Sequence, residues 1–349
     1  MANRNRRSRV LSGMRPTGKL HLGHFVGALD NWVRLQDNYD CFFFIADWHA
    51  LTTDYADTSR VKQSSVDIMI DWLAAGLDPE RCTMFIQSHV PQHAELHLLF
   101  SMITPLGWLE RVPSYKEQRD NIKDKDLGTY GFLGYPLLQS ADILIYQADF
   151  VPVGEDQVPH IELTREVARR FNIFYPGRHT PVFPEPQPLL TPSPKLPGTD
   201  GRKMSKSYGN FILLSEPEDS LRQKLKTMVT DPARIRRNDP GNPDVCPVGD
   251  LHKIFSDKET IARVDTGCRT AGIGCIECKS WAADNIVKVL APMQERRKKY
   301  EDNPRLAWDI LEEGSTRARK IAEATMAQAR DAMNMSQRYE APAERASGK

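Results

Sequence analysis

Apolar and polar positions along the chain fall into two alternating patterns. Short continuous apolar runs, "RVLSG", "CFFFIAD" and "CTMFIQS", are separated by longer stretches, "FVGALDNWVRLQ" and "RVKQSSVDIMIDWLAAG", whose apolar residues recur with helical spacing. A continuous run of strand length suits a strand buried on both faces, and helical crossovers join parallel neighbours. The pattern therefore predicts an α/β fold, a Rossmann-like parallel sheet flanked by helices. It breaks at residues 105–135, where the polar stretch "SYKEQRDNIKDKDLGTY" reads as an insertion, and resumes with "YPLLQSADILIYQADFVPVGEDQ". Eight prolines between residues 175 and 202 leave little periodicity, so this segment reads as an ordered surface loop. Beyond residue 215 strand signals are sparse, and "SLRQKLKTMV", "WAADNIVKVLAPMQERRKKY" and "TRARKIAEATMAQARDAM" read as helices. The expected division is an α/β domain over residues 1–214, an α-helical domain over 215–335 and a disordered tail over 336–349.

Composition narrows the classes. A length of 349 residues fits two domains. With 47 Lys and Arg against 46 Asp and Glu, a nucleic-acid partner must be held by local patches rather than by overall basicity. "ARIRR", "ERRKK" and "TRARK" offer such patches, and for the last two a solvated helix face is an equal reading. The basic start "MANRNRRSR" leads into no apolar signal-peptide core, and "CFFFIA" is too short to span a bilayer, so the expectation is a soluble cytoplasmic protein. Cys41 and Cys82 sit in strand-like runs and read as buried free thiols. Cys246, Cys268, Cys275 and Cys278 cluster with gaps of 21, 6 and 2 residues, which argues against a disulfide framework. Four thiolates suit either tetrahedral Zn2+ or an iron-sulfur cluster, and the spacing alone leans toward zinc.

Two further stretches carry chemistry. "GKLHLGHFVG", residues 18–27, follows the first strand through Gly13, Pro16 and Gly18 into a helix beginning near His21 or His24. That is the phosphate-binding position of an α/β sheet, where backbone N–H groups and a helix N-terminus meet an anion. A metal pair is the weaker reading, since no glutamate separates the histidines and no third ligand is nearby; ordinary packing also stays open. "GRKMSKSYGN", residues 201–210, sets Lys203 and Lys206 in a glycine-bounded loop able to close over an anionic leaving group, although alone it reads as a solvated loop.

"HLGH" and "KMSKS" in this order, with "SGMRPTG", "YPLLQSADILIY", "VPVGEDQ" and "HIELTREVARRFN" between and around them, resemble class I aminoacyl-tRNA synthetases, and most closely the bacterial tryptophanyl-tRNA synthetases, over residues 8–335. The resemblance implies activation of L-tryptophan by ATP with Mg2+, transfer to tRNA(Trp), an anticodon-binding helical domain and a homodimer. It implies catalytic roles for His21, Gly23, His24, Lys203 and Lys206. The ATP site would comprise Arg15, Pro16, Thr17, Gly23, His24, Gly154, Glu155, Asp156, Leu196, Lys203, Met204, Ser205, Lys206 and Ser207. Many relatives carry glutamine where Arg15 stands. Asp142 matches the aspartate that accepts the indole N–H, with Tyr135, Gln157 and His49 completing the tryptophan pocket. An amino acid lacking that N–H would leave a buried carboxylate unpaired. A subset of these enzymes carries a 4Fe-4S cluster on nearly the spacing of Cys246, Cys268, Cys275 and Cys278, with Zn2+ the alternative. Rival readings are a tyrosyl-tRNA synthetase, a small-molecule nucleotidyltransferase and a non-catalytic iron-sulfur RNA-binding protein.

Overall fold

The structure, a computed structural model, describes residues 6–121, 126–177, 181–190 and 196–335. Strands β1 (Arg9–Met14), β2 (Asp40–Ile45), β3 (Cys82–Ile86), β4 (Phe150–Val153) and β5 (Gln187–Leu190) form one parallel sheet in the order β3-β2-β1-β4-β5. Val10 lies opposite Cys41 on one side and Phe150 on the other, which fixes the register at the centre. Alternate residues of β2 enter opposite cores: Cys41, Phe43 and Ile45 pack with Trp32, Ile68 and Trp72, whereas Phe42 and Phe44 pack with Phe85, Phe100 and Phe171. Burial on both faces is why the strand reads as an unbroken apolar run. The expected parallel α/β sheet is therefore present, and β5 corrects the proline-rich segment from loop to strand. Pro188, opposite Val151, lacks an N–H, a loss an edge strand tolerates because one side has no neighbour.

Between the strands run α1 (Leu22–His24), a π-helical turn (Phe25–Leu29) and α2 (Asp30–Leu35), then α3 (Asp47–Asp54) and α4 (Val61–Ala75). Next come α5 (Gln92–Ser101), α6 (Leu106–Glu110), α7 (Pro113–Asn121), α8 (Tyr130–Ile145) and α9 (Val158–Phe174). The polar stretch thus holds α7, while its residues 122–125 and the tail at 336–349 lie outside the described residues. After β5 the described chain is helical: α10 (Glu218–Thr227), α11 (Pro247–Phe255), α12 (Lys258–Arg269), α13 (Cys275–Asp302) and α14 (Pro304–Ala332). Residues of α4 and α13 build one core, and residues of α5, α8 and α9 the other. Helix α14 belongs to both: Ala307 and Leu311 enter the first core, Ala318, Ala322 and Met326 the second. It crosses the edge strand β3, where Ser315 Oγ accepts the N–H of Ile86 at 3.3 Å and Arg317 donates to the carbonyl of Pro79 at 2.9 Å. Among the described residues no helix is long and apolar enough to cross a membrane.

Candidate active site

Strand order reverses at β1, whose neighbours are β2 on one side and β4 on the other, and open α/β sheets bind ligands beyond the carboxyl ends of the strands at such a point. A cavity of about 390 Å3 opens there, walled by Gly13, Met14 and Arg15 from β1 and its exit, Val153 and Gly154 from β4, and Tyr135, Gln139 and Asp142 from α8. His49, Asn31 and Gln157 complete the wall. Thr129 starts α8 by accepting the N–H of Phe132 at 3.2 Å, and the helix carries Asp142 inward until no part of it is exposed.

A buried carboxylate needs partners, and Asp142 has three: His49 Nε2 at 2.7 Å from Oδ2, His93 Nδ1 at 2.6 Å from Oδ1, and Gln87 Nε2 donating to Oδ1 at 2.8 Å. Burial alone would raise its pKa; the hydrogen bonds and charges of His49 and His93 outweigh it and hold the carboxyl well below the usual carboxylate range. His93 passes the network on to the Tyr146 hydroxyl at 2.8 Å. Above Asp142, the Tyr135 hydroxyl lies 2.9 Å from Ser114 Oγ, itself 2.6 Å from His160 Nε2. Arg15 reaches away from this floor to Asp54 at 3.0 Å and to the Thr53 hydroxyl on α3. Pro16 and Thr17 line a second hollow of about 530 Å3 on that side.

His21, the N-cap residue of α1, and His24 hold their rings in contact, centroids 3.8 Å apart and tilted by 42°. Their tautomers follow from the backbone: Nδ1 of His21 accepts the N–H of Gly23 at 3.1 Å, and Nδ1 of His24 accepts the N–H of His21 at 3.2 Å. The remaining proton of each ring therefore sits on Nε2, free to donate. Burial, then Lys206, lowers His21 to about 4; burial, then His21 and Lys206, lowers His24 to about 3, so both rings are neutral near pH 7. Gly18, with φ 87°, supplies the left-handed turn before them. Lys206 closes over that turn, donating to the carbonyls of Thr17 at 2.7 Å and Gly18 at 2.9 Å. Two motifs distant in sequence are thus one corner.

Asn210 holds the second motif's shape. It is 2 % exposed, accepts the N–H of Ser205 at 2.8 Å and donates to the carbonyl of Lys203 at 3.2 Å. Ser205 caps the turn by accepting the Ser207 N–H at 3.2 Å, Met204 is buried, and Lys203 and Ser207 are exposed. The Leu196 carbonyl accepts the Met204 N–H at 2.9 Å. Glu155 and Asp156 are exposed and stand outside the cavity wall that Gly154 and Gln157 share.

Residues 3–291 match the family described as tRNA synthetases class I (W and Y). A tryptophan–tRNA ligase of Thermotoga maritima is 55% identical, covering 94% of this chain and 99% of its own, and one of Ralstonia nicotianae is 50% identical, covering 94% and 98%. This chain belongs to the class I tryptophanyl-tRNA synthetases. The crystal structure of the Campylobacter jejuni tryptophanyl-tRNA synthetase complexed with ADP and tryptophan superposes with a TM-score of 0.82 at 31% identity, covering 93% of this chain and 99% of that one. The tyrosyl, nucleotidyltransferase and non-catalytic readings give way to a tryptophan–tRNA ligase.

In this synthetase the cysteines stand outside the crevice wall, Cys246 at the N-cap of α11, Cys268 on α12, and Cys275 and Cys278 on α13. Cys278 is pushed up to about 12 by burial and then by Cys246, Cys268 and Cys275. Arg234 donates to Cys268 Sγ at 3.8 Å and His252 Nε2 lies 3.4 Å from Cys278 Sγ. None of the four is in a disulfide, and among the described residues no group of three or more His, Cys, Asp or Glu is set to hold a metal ion. The expectation of buried free thiols holds for Cys41 and Cys82. Gln87, His93 and Asn210 escaped the sequence reading; Asn210 stands in the same glycine-bounded stretch as Lys206, while nothing local marks the other two.

Proposed function

We propose that L-tryptophan is activated in the crevice between β1 and β4, with Asp142 accepting the indole N–H. The buried, ionised carboxylate on the cavity floor is the observation that carries this reading: it prefers a ligand bringing a donor to one bringing none. His49 shares that carboxylate and forms the pocket wall, and Tyr135 and Gln157 receive the substrate ammonium. ATP enters with Mg2+ on its phosphates, against Arg15, Pro16, Thr17, Gly23, Gly154, Glu155, Asp156 and Leu196. The tryptophan carboxylate attacks the α-phosphorus, the bond to the bridging oxygen breaks, and pyrophosphate leaves carrying the charge. His21 and His24 donate from Nε2 to the phosphoryl oxygens, and Lys203, Met204, Ser205, Lys206 and Ser207 close over the leaving group. A ribose hydroxyl of tRNA(Trp) then attacks the carbonyl carbon of the adenylate, the bond from that carbon to the phosphate oxygen breaks, and AMP leaves. Amino-acid-dependent exchange of pyrophosphate into ATP tests this: tryptophan supports exchange and tyrosine does not, and His24→Ala lowers the rate with little change in tryptophan affinity. Parental exchange by His24→Ala would return the histidines to packing.

Residues 1–214 serve as the catalytic part and residues 215–335 as the anticodon-binding part of a cytoplasmic homodimer. Leu98, Met102, Leu106, Ile173 and Phe174 are exposed, and Arg170 bridges their elements by donating to the Ile103 carbonyl and facing the rings of Trp108 and Phe174. That apolar area suits a dimer contact. The four cysteines, once deprotonated, supply the donor set of a 4Fe-4S cluster, with Zn2+ the alternative; the group would draw together the start of α11, α12 and α13 and take no part in activation. Iron and sulfide in anaerobically purified protein support the cluster, zinc alone supports the alternative, and neither metal overturns both.

A further inference from the structure

Asp71 sits on α4 inside the first apolar core, fully buried, where an aspartate is rarely found without partners. Its two oxygens are divided between two distant parts of the chain. Oδ2 accepts the N–H of Leu20, the residue before His21, at 2.7 Å. Oδ1 accepts from the guanidinium of Arg297 on α13, which is 3 % exposed and whose Nε donates to Glu301 at 2.7 Å.

The loop entering α1 is held from three sides. Lys206 takes the carbonyls of Thr17 and Gly18. The segment after the lysine motif takes the next groups, Leu22 donating to the Ile212 carbonyl and Leu214 donating to the Leu20 carbonyl, both at 2.9 Å. The Leu20 N–H points the other way, and Asp71 is its acceptor. A buried ion pair is a poor source of net stability, since apolar residues of similar volume do as well or better. What this pair supplies and an apolar pair does not is an acceptor of fixed direction behind the histidine corner.

We propose that Asp71 is a positioning residue for tryptophan activation, holding the Leu20 N–H so that His21 and His24 meet the nucleotide, with Arg297 of α13 fixing the carboxylate. This rests on reading the histidine corner as the phosphate site. Its charge also reaches Lys206: burial lowers that lysine to about 8, and Asp71 is the foremost group opposing the shift. One carboxylate therefore serves both motifs of the corner, and it is set by a helix from the C-terminal half.

The test compares the parent with Asp71→Leu/Arg297→Met, Asp71→Asn, Arg297→Lys and His24→Ala, measuring melting temperature and KM for ATP and for tryptophan in pyrophosphate exchange. The double apolar variant is expected to melt near the parent, to raise KM for ATP about tenfold and to leave KM for tryptophan within about twofold. Asp71→Asn keeps an oxygen for the Leu20 N–H and is expected to recover most of that loss. An unchanged ATP KM in the double variant overturns the proposal, as does a parallel rise in both KM values. Should the double variant fail to fold, Arg297→Lys decides: a raised ATP KM alone supports the proposal, and parental values overturn it. Parental exchange by His24→Ala would instead sink the phosphate reading, which these outcomes keep separate.

Discussion

The Lys206 ammonium lies 2.7 Å from the carbonyl oxygen of Thr17, 189 residues away in sequence. Two backbone carbonyls thus take two of the three N–H groups of the cation that the proposed chemistry assigns to pyrophosphate, and the third is left for a phosphate oxygen as the loop closes. Such loops commonly gate catalysis.

Replacing Lys206 by Met should keep the aliphatic packing and remove the charge. The expected outcome is a fall in kcat for pyrophosphate exchange of about 10²–10³-fold, the scale of losing one preorganised charge-stabilising donor, with KM for tryptophan unchanged. A KM effect confined to tryptophan would contradict the assignment.

Asp142→Asn preserves shape but turns a charge-assisted acceptor into a neutral amide beside His49, His93 and Gln87. Urea unfolding should show a loss of about 2–3 kcal/mol, and kcat/KM for tryptophan should drop by about 100-fold or more. Tryptophan activation at the parental level would remove Asp142 from the pocket.

Acid stability carries a sign that can be checked. Burial lowers His160 from 6.5 to about 4, so between those values the unfolded chain binds more protons and stability falls as pH falls. Asp71 acts oppositely in an overlapping window, because burial raises it from 3.8 to about 6 and the folded state binds the extra proton there. The comparison of parent with His160→Gln isolates the histidine: the variant's urea midpoint should fall less between pH 6.5 and pH 4. A steeper fall in the variant would refute the burial account.

At Gly198 an added Cβ would sit 2.3 Å from the Asn210 side chain. Gly198→Ala must therefore push Asn210 off the Lys203 carbonyl and the Ser205 N–H. Exchange activity should drop about tenfold or more through a raised KM for ATP, with tryptophan binding intact by equilibrium titration.

Legibility varied with the range of the interaction. The strands of β1, β2 and β3 were readable because burial on both faces leaves a local apolar run, and the histidine corner because glycine, proline and histidine mark a turn into a helix. β5 was masked by prolines that a central strand would reject and an edge strand accepts. Asp142 was reached through resemblance, yet its partners Gln87 and His93 lie 55 and 49 residues away in an ordinary-looking segment. Arg297 stands in "ERRKK", a run readable as a basic patch or a solvated helix face, and nothing local marks Asp71, 226 residues away, until the packing of α4 against α13 buries the two together.

Helix α14 lies across the outer edge of β3, and that placement bears on aggregation. A chain ended before Pro304 keeps every residue of the candidate site, yet it uncovers the free side of an apolar parallel strand, a template onto which another molecule can add a strand. The terminal helix is in this sense a guard for the sheet, and the solubility of the catalytic half depends on residues that take no part in its chemistry.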